Sequence, residues 1–298
     1  MPAVATIGFF DGVHLGHCHL IGMVKTIAQE RGLTSCVVTF DRHPRQVVQP
    51  EWCPEMLTTS EEKARLLNAT GIDHCEILHF DHALASLSAH DFMLHVLKER
   101  LDVSVLVIGY DNRFGHNRSE GFDDYVRYGK EIGIKVVQGK ELKAEETHVS
   151  SSAIRRMLKQ GDIENATRCL GHDYQLTGTV VGGEHIGRSI GFPTANIHPD
   201  DSGKLIPENG VYAVDVWSEG SDICKHTRAM LNIGTRPTFN GKATTIEVHI
   251  PDFSGDLYGK TLSIVFKSRI REERRFDSPQ ELVEQLNKDL ETIKGQQI

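Results

Sequence analysis

The chain has 298 residues, more than a single hydrophobic core usually accommodates and enough for two domains. Hydrophobic residues make up 39% and charged residues 25%, a globular balance, and no apolar run approaches the roughly 20 residues that a bilayer span needs. A formal charge of -8 argues against a broad nucleic-acid face, which would have to be basic, so any phosphate must be gripped locally.

The amino-terminal segment lacks the basic flank and cleavage site of a secretory signal, and the expected location is the cytoplasm. AVATIG (3–8), SCVVTF (35–40), CEILHF (75–80), VSVLVIG (103–109) and KVVQG (135–139) read as strands, short and apolar enough for a parallel sheet covered on both faces. Between the first two, Leu20, Val24, Ile27 and Ala28 recur at helical spacing and Gly32 stands where a helix would end, which makes a βαβ unit. Thr59 with Glu62 and Ser88 with Asp91 predict two further helix starts. Residues 121–133 predict another amphipathic helix, and the first half as a whole predicts a doubly wound α/β domain over 1–165. SSAIRRMLKQGDIENATRCLG predicts two helices at the domain junction. From 172 onward the pattern changes: QLTGTVVG, GVYAVDVW, HTRAMLNIG, TTIEVHI and KTLSIVF have period two and predict an antiparallel β-barrel. Ser278, Pro279 and Glu281 then supply the N-cap, N1 and N3 residues of a closing helix over 278–294. The six cysteines (Cys18, Cys36, Cys53, Cys75, Cys169, Cys224) show neither a CxxC pair nor regular spacing, which speaks against a disulfide framework or a zinc knuckle.

In an open parallel sheet, ligands bind beyond the carboxyl ends of the strands, and the turn after the first strand is the favoured phosphate position. That turn runs here from Gly8 to His17. Helix-start N–H groups attract anions, Gly12 and Gly16 let the backbone come close, and His14 and His17 add donors. Local packing of the histidines is one competing reading. A metal site of His14, His17 and His19 is another, but it lacks an acidic co-ligand at suitable spacing. In HVSSSAIRRML, Ser150, Ser151 and Ser152 cap a helix and Arg155, one turn in, can reach a phosphate bidentately; a plain cap with a solvated arginine is the alternative. In GRSIGFPTANI, a flexible approach from Gly187 meets Pro193, and Thr194 and Asn196 can offer oxygen to a hard cation or to phosphate-bound Mg²⁺, unless the string is a simple turn. Alternation within IEVHI puts Glu247 and His249 on one face, where a carboxylate can accept a hydroxyl proton. Arg269, Arg271, Arg274 and Arg275 suit either phosphates or a solvated surface.

FDGVHLGH is similar to the signature of the nucleotidyltransferase superfamily, whose histidines contact a triphosphate. The resemblance implies that His14 and His17 stabilise charge on the α-phosphate and the departing pyrophosphate, with Gly8, Phe10 and Gly12 also at ATP. SSSAIR resembles the ISSTxIR motif of that superfamily and implies ATP contacts from Ser151, Ser152 and Arg155. GYDNRFG resembles the GxDFRFG loop of bacterial flavin-adenylylating enzymes, with Asn112 in place of phenylalanine, and implies a flavin contact at Asp111. TFDRHP resembles TFDPHP, with Arg42 replacing proline. GRSIGFPTANI resembles the riboflavin kinase signature, and GVYAV, LNIGTRPTF, IEVHIPDFSGDLYG and FKSRIREERRFDSPQEL follow in that module's order. This second resemblance implies ATP and Mg²⁺ contacts at Gly187, Thr194 and Asn196, metal ligation by Thr194 and Asn196, and a catalytic base at Glu247.

Together the modules, 1–165 and 172–298, resemble the bacterial family that joins riboflavin kinase to FAD synthetase. The resemblance implies a Rossmann-like nucleotidyltransferase domain followed by an antiparallel β-barrel kinase domain with a terminal helix. Its two reactions would be transfer of the γ-phosphate of ATP to riboflavin, giving FMN, and transfer of AMP from a second ATP to FMN, giving FAD and pyrophosphate, with Mg²⁺ serving both. Partners are then riboflavin, FMN and ATP, with no nucleic acid, no membrane and at most a weak homo-oligomer. Two alternatives stand beside it. Arg42, Asn112 and Ser152 are compatible with a kinase of weak or absent adenylyltransferase activity, and a noncatalytic flavin- or nucleotide-binding protein would be expected to lose Glu247 or the histidines, which are all present.

Overall fold

Two stretches of unlike pattern fold into two unlike units, residues 1–151 and 152–298. The computed structural model describes residues 2–49, 51, 54–110, 112–116, 120–140, 149–183, 186–218, 224–238 and 241–295. Among these residues no helix is long and apolar enough to cross a membrane.

In the first unit the five apolar runs are strands β1 (Ala3–Ile7), β2 (Thr34–Phe40), β3 (His74–Leu78), β4 (Val103–Ile108) and β5 (Lys135–Gln138). They form one parallel sheet in the order β3-β2-β1-β4-β5. The central strand shows why these runs do not alternate. Ala3, Ala5 and Ile7 enter a core completed by Val38, Phe92, Met93 and Leu97, while Val4 enters the opposite core with Ile21, Val24 and Ala28. Water reaches neither face, so apolar residues follow one another along the strand, with Thr6 the one buried polar side chain. The second of these cores lies under α1 (Leu15–Arg31), which Gly32 terminates as expected. Helices α2 (Pro44–Val48), α3 (Ser60–Ala69), α4 (His82–Ser86), α5 (Ala89–Asp91) and α6 (Phe122–Ile132) complete the crossovers. Thr59 and Glu62 close the expected capping box on α3, and Ser88 caps α5 through the Asp91 N–H. Beyond α5 the chain widens into a π-helical stretch, Phe92–Arg100. Strand order reverses between β1 and β4, the position where doubly wound sheets open a crevice for ligand.

The second unit opens with α7 (Ser151–Leu158), which begins one residue before the division between the units, and α8 (Ile163–Leu170). Strands β6 (Gln175–Val181), β7 (Ala195–Pro199), β8 (Gly210–Ser218), β9 (Thr227–Thr238), β10 (Gly241–His249) and β11 (Thr261–Arg271) follow, with a short helix α9 (Ile186–Ser189) between β6 and β7. They close into an antiparallel barrel, β10-β7-β6-β11-β8-β9. Five of these strands are the period-two runs. The sixth, β7, carries ANIHP, too polar to announce itself, and is a strand because both its edges are taken: Asn196 is opposite Glu247 of β10 and Ile197 opposite Val180 of β6. Helix α10 (Pro279–Gly295) buries Ile293 and packs Val283, Leu286 and Leu290 against Phe192, Val211, Ala213 and Met230.

The arginine-rich turn after β11 braces this helix. Arg271 donates from Nε and Nη2 to the Asp289 carboxylate at 2.9 Å each, and Asp289 is 2% exposed. Arg274 bonds Gln285, and Arg269 donates to the Asn209 carbonyl at 2.6 Å. Three of the four arginines expected at phosphates or in solvent are thus engaged in holding the fold. An unpaired charge at Asp289 would be costly, which accounts for the guanidinium beside it.

Candidate active sites

The turn between β1 and α1 is built under strain and then tied down. Phe10 (φ 55°) and Val13 (φ 39°) both lie in the left-handed region, which a β-branched valine enters at real cost. Gly12, at φ 80°, takes the same region without penalty. What over-determines the backbone is the Asp11 carboxylate, 3% exposed. It accepts from Leu57 N–H at 3.0 Å, and from Thr58 N–H at 3.0 Å and Oγ1 at 3.1 Å. Thr58 Oγ1 in turn accepts from Gly12 N–H at 3.1 Å. Ser151 adds a bond from Oγ to the Asp11 carbonyl at 3.0 Å, which brings it to the turn. Ser152 and Arg155 follow in α7, within the second unit.

His14 is the N-cap of α1. Its Nδ1 accepts the His17 backbone N–H at 3.3 Å, which leaves Nε2 to carry the proton of the neutral ring. The two imidazoles stack, with centroids 3.6 Å apart and planes 15° off parallel. Burial, then His14, then Lys63 push the His17 pKa well below the usual histidine value, so the ring is neutral at pH 7. Its Nδ1 is buried without a hydrogen-bond partner in the described residues. Such an atom faces a desolvation cost that a ligand could relieve. Phe10, expected at ATP, turns its ring into the core, edge-on to His17 at 5.1 Å, so what it offers a ligand is backbone. A Cβ at Gly8 would lie 3.1 Å from that ring.

Sequence reading missed several residues around this turn. Asp11 and Thr58 lie 47 positions apart, and no local pattern couples them. His43 caps α2 and sets its ring edge-on to Phe9 at 4.8 Å. Lys63, 2% exposed, donates to the Phe40 carbonyl at 2.7 Å and lies 3.9 Å from the centroid of the Phe9 ring. Asn112 donates to the Ile7 carbonyl at 2.6 Å, at the carboxyl end of β1, so the residue that departs from the resembling motif has a structural task. Asp111 lies outside the described residues.

In the barrel, Thr194 Oγ1 donates to Glu247 Oε2 at 3.0 Å. His249 Nδ1 is 2.9 Å from the Pro193 carbonyl oxygen, and Asn196 is opposite Glu247 across the β7–β10 ladder. Alternation along β10 therefore does aim Glu247 and His249 at the same segment, as expected. Gly187 is required for close approach, because a Cβ there would be 2.2 Å from the Phe192 carbonyl oxygen. Phe192 N–H closes that contact by donating to the Gly187 carbonyl at 2.8 Å. Beside α10 lies a groove of about 390 Å³ lined by Ile190, Pro279, Gln280, Val283 and Glu284. Ile190 and Val283 pack on the cluster that holds Phe192, whose ring is 5.2 Å from His249. Among the described residues no three His, Cys, Asp or Glu side chains gather as a metal cluster.

The first unit has the doubly wound α/β fold, with an anchored glycine and two histidines in the turn at its switch point. The barrel adds a paired hydroxyl and carboxylate at β7 and β10. The FAD synthetase family model matches residues 1–153 and the riboflavin kinase model residues 170–296, and the chain belongs to the family of bifunctional riboflavin kinase/FMN adenylyltransferases. Proteins of that description from Escherichia coli K12 and Bacillus subtilis 168 are similar to it at 36% identity over 286 residues and 37% over 294. Each alignment covers 96% of this chain and 90% of the relative. It is an enzyme of that family with both domains present, adenylyltransferase first. A solved chain described as a macrolide-efflux protein from Streptococcus pneumoniae is similar in structure, with TM-score 0.89 and 31% identity over 99% of this chain and 95% of that one.

Proposed function

We propose that the first unit adenylylates FMN at the turn 8–17 and that the barrel phosphorylates riboflavin at Glu247, each from its own ATP. The observation that carries the reading is the build of the two sites. One is a strained turn held by a buried carboxylate, and the other is a carboxylate held by a threonine hydroxyl.

At the first site, exposed N–H groups at the start of α1 and neutral donors on His14 and His17 meet the triphosphate. Gly12 takes its left-handed conformation without strain, and Gly8 leaves room for the Phe10 ring, which shapes the turn from beneath. Ser151 adds a hydroxyl at the turn, and Ser152 and Arg155 are proposed as ATP contacts on the motif alone. Charge developing on the α-phosphate and pyrophosphate is met by dipoles already in place, which is where most of the rate enhancement of such a transfer arises. Asp111 is proposed as a flavin contact on the motif alone.

At the second site, the Glu247 carboxylate accepts the proton of the riboflavin 5′-hydroxyl as that oxygen attacks the γ-phosphate in line. Thr194 Oγ1, through its bond to Oε2, fixes the rotamer of this base. Thr194 and Asn196 offer hard oxygens, a set that suits Mg²⁺, which takes few protein ligands and keeps phosphate oxygens and water in its shell. Mg²⁺ bound there would neutralise phosphate charge. Gly187, packed on Phe192, holds the approach to these residues tight, and the groove beside α10 has the apolar wall that a flavin ring needs. The test is incubation of the full chain with riboflavin, ATP and Mg²⁺ followed by chromatography. FMN and FAD together support both assignments, FMN alone removes the first, and neither product removes both.

A further inference from the structure

Lys63 is a buried charge that the two reactions above leave unused. It comes from α3, yet its ammonium is at the carboxyl ends of β1 and β2, between the Phe40 carbonyl oxygen and the face of Phe9, the residue that follows Gly8 into the turn. Among the described residues no carboxylate closes an ion pair with it. The charged and titratable groups that act on it are Asp11 of the turn, Asp41 after β2 and Cys75 of β3, and its own field reaches His17 of α1. An ammonium with three donors, one carbonyl and one ring is poorly repaid for its lost hydration. A hydrophobic residue of equal length would cost less, so stability is no reason to keep it.

The turn supplies a reason. It must attract a polyanion, and it is built around the buried carboxylate of Asp11, which repels one. We infer that Lys63 is a positioning residue of the adenylyltransferase site: its fixed positive charge offsets Asp11 and, with its hold on Phe9, makes the turn 8–17 receptive to a triphosphate. The inference rests on the proposed assignment of ATP to that turn. Because the charge acts across a water-poor interior, it is screened less than a surface lysine would be.

The experiment uses the full chain. Lys63→Met removes the charge and keeps the length, and Lys63→Gln removes the charge while keeping a donor for the Phe40 carbonyl. Wild type and His17→Ala are run beside them. FAD formation from FMN and ATP is followed from pH 6 to 9.5, with FMN formation from riboflavin measured on the same samples and thermal unfolding recorded. Both Lys63 variants are expected to lose roughly tenfold to a hundredfold in kcat/KM for ATP in FAD formation. FMN formation should stay unchanged, and the Lys63→Met variant should melt no lower than wild type. Wild type should also lose FAD formation as pH rises through about 8, the value to which burial lowers the Lys63 pKa, and the variants should lack that limb. Adenylylation within twofold of wild type in either variant, or an unchanged alkaline limb, would overturn the role and leave a structural pin. If wild type makes FMN but no FAD, the assignment of the first site itself fails and this inference with it; loss in His17→Ala with retention in both Lys63 variants refutes Lys63 alone.

Discussion

Replacing Asp11 by Asn tests whether the turn is held by its carboxylate. Asparagine keeps the acceptor at Oδ1 and puts an NH₂ in place of Oδ2, so the Leu57 N–H, shared by both oxygens, faces a donor on one side, and every remaining bond goes to a neutral acceptor. A hydrogen bond to a charged group contributes about 1.5–3 kcal/mol and a neutral one about 0.5–1.5. Exchanging three such bonds, from Leu57 N–H, Thr58 N–H and Thr58 Oγ1, for neutral ones at about 1 kcal/mol each therefore costs about 3 kcal/mol. The left-handed Phe10 and Val13 store strain of about 1–3 kcal/mol each, released as the tether loosens; part of the loss is recovered, but only by abandoning the geometry that meets the phosphates. Amide hydrogen exchange at Leu57 and Thr58 should accelerate by about tenfold to a hundredfold, the equivalent of about 1.4–2.8 kcal/mol of local opening. FAD formation should fall at least tenfold while FMN formation is retained. If exchange at both amides is unchanged and FAD formation survives, the carboxylate does not hold the turn, and the account of the first site is wrong at its root.

Glu247→Gln keeps the shape beside Thr194 and removes the proton acceptor, so kcat for FMN formation should collapse while supplied FMN is still converted to FAD; simultaneous loss of both would contradict separate sites. His17→Ala should do the reverse, and equal damage to FMN formation would count against the assignment. The pH dependence of stability follows from Lys63. Its folded pKa of about 8 lies below the ordinary 10.5, so the unfolded chain binds more protons between these values and stability rises with pH across that window. The full penalty, about 3 kcal/mol, is present below pH 8. Lys63→Met should therefore be more stable than wild type at pH 7, by an amount that vanishes towards pH 10.5 in denaturant titrations. A constant difference across that range would show that Lys63 is not the group responsible.

Much of the fold could be read directly. Short, mainly apolar runs without alternation called for a sheet covered on both sides, and period-two runs for one with a wet face, because the side-chain repeat of a strand leaves no other way to hide these residues. Capping pairs such as Thr59 with Glu62, and the helix-ending Gly32, act within a few residues and are legible for that reason. So was the alternation that sets Glu247 and His249 on one face. The polar strand β7 was not, since only its neighbours β6 and β10 make it a strand. Nor did sequence reading find Asp11, whose partners are nearly fifty residues away, or Lys63, an ordinary surface residue by composition that the packing of α3 drives under Phe9. The arginines after β11 suited phosphates or solvent equally well until the buried Asp289 showed what Arg271 holds. Sequence by itself determined which segments form elements and which local motifs to propose for phosphate chemistry, because propensity, capping and periodicity are short-range. Only the tertiary structure decided which charges are buried and what opposes them, because desolvation and Coulomb energy depend on neighbours in space, however far apart these lie along the chain.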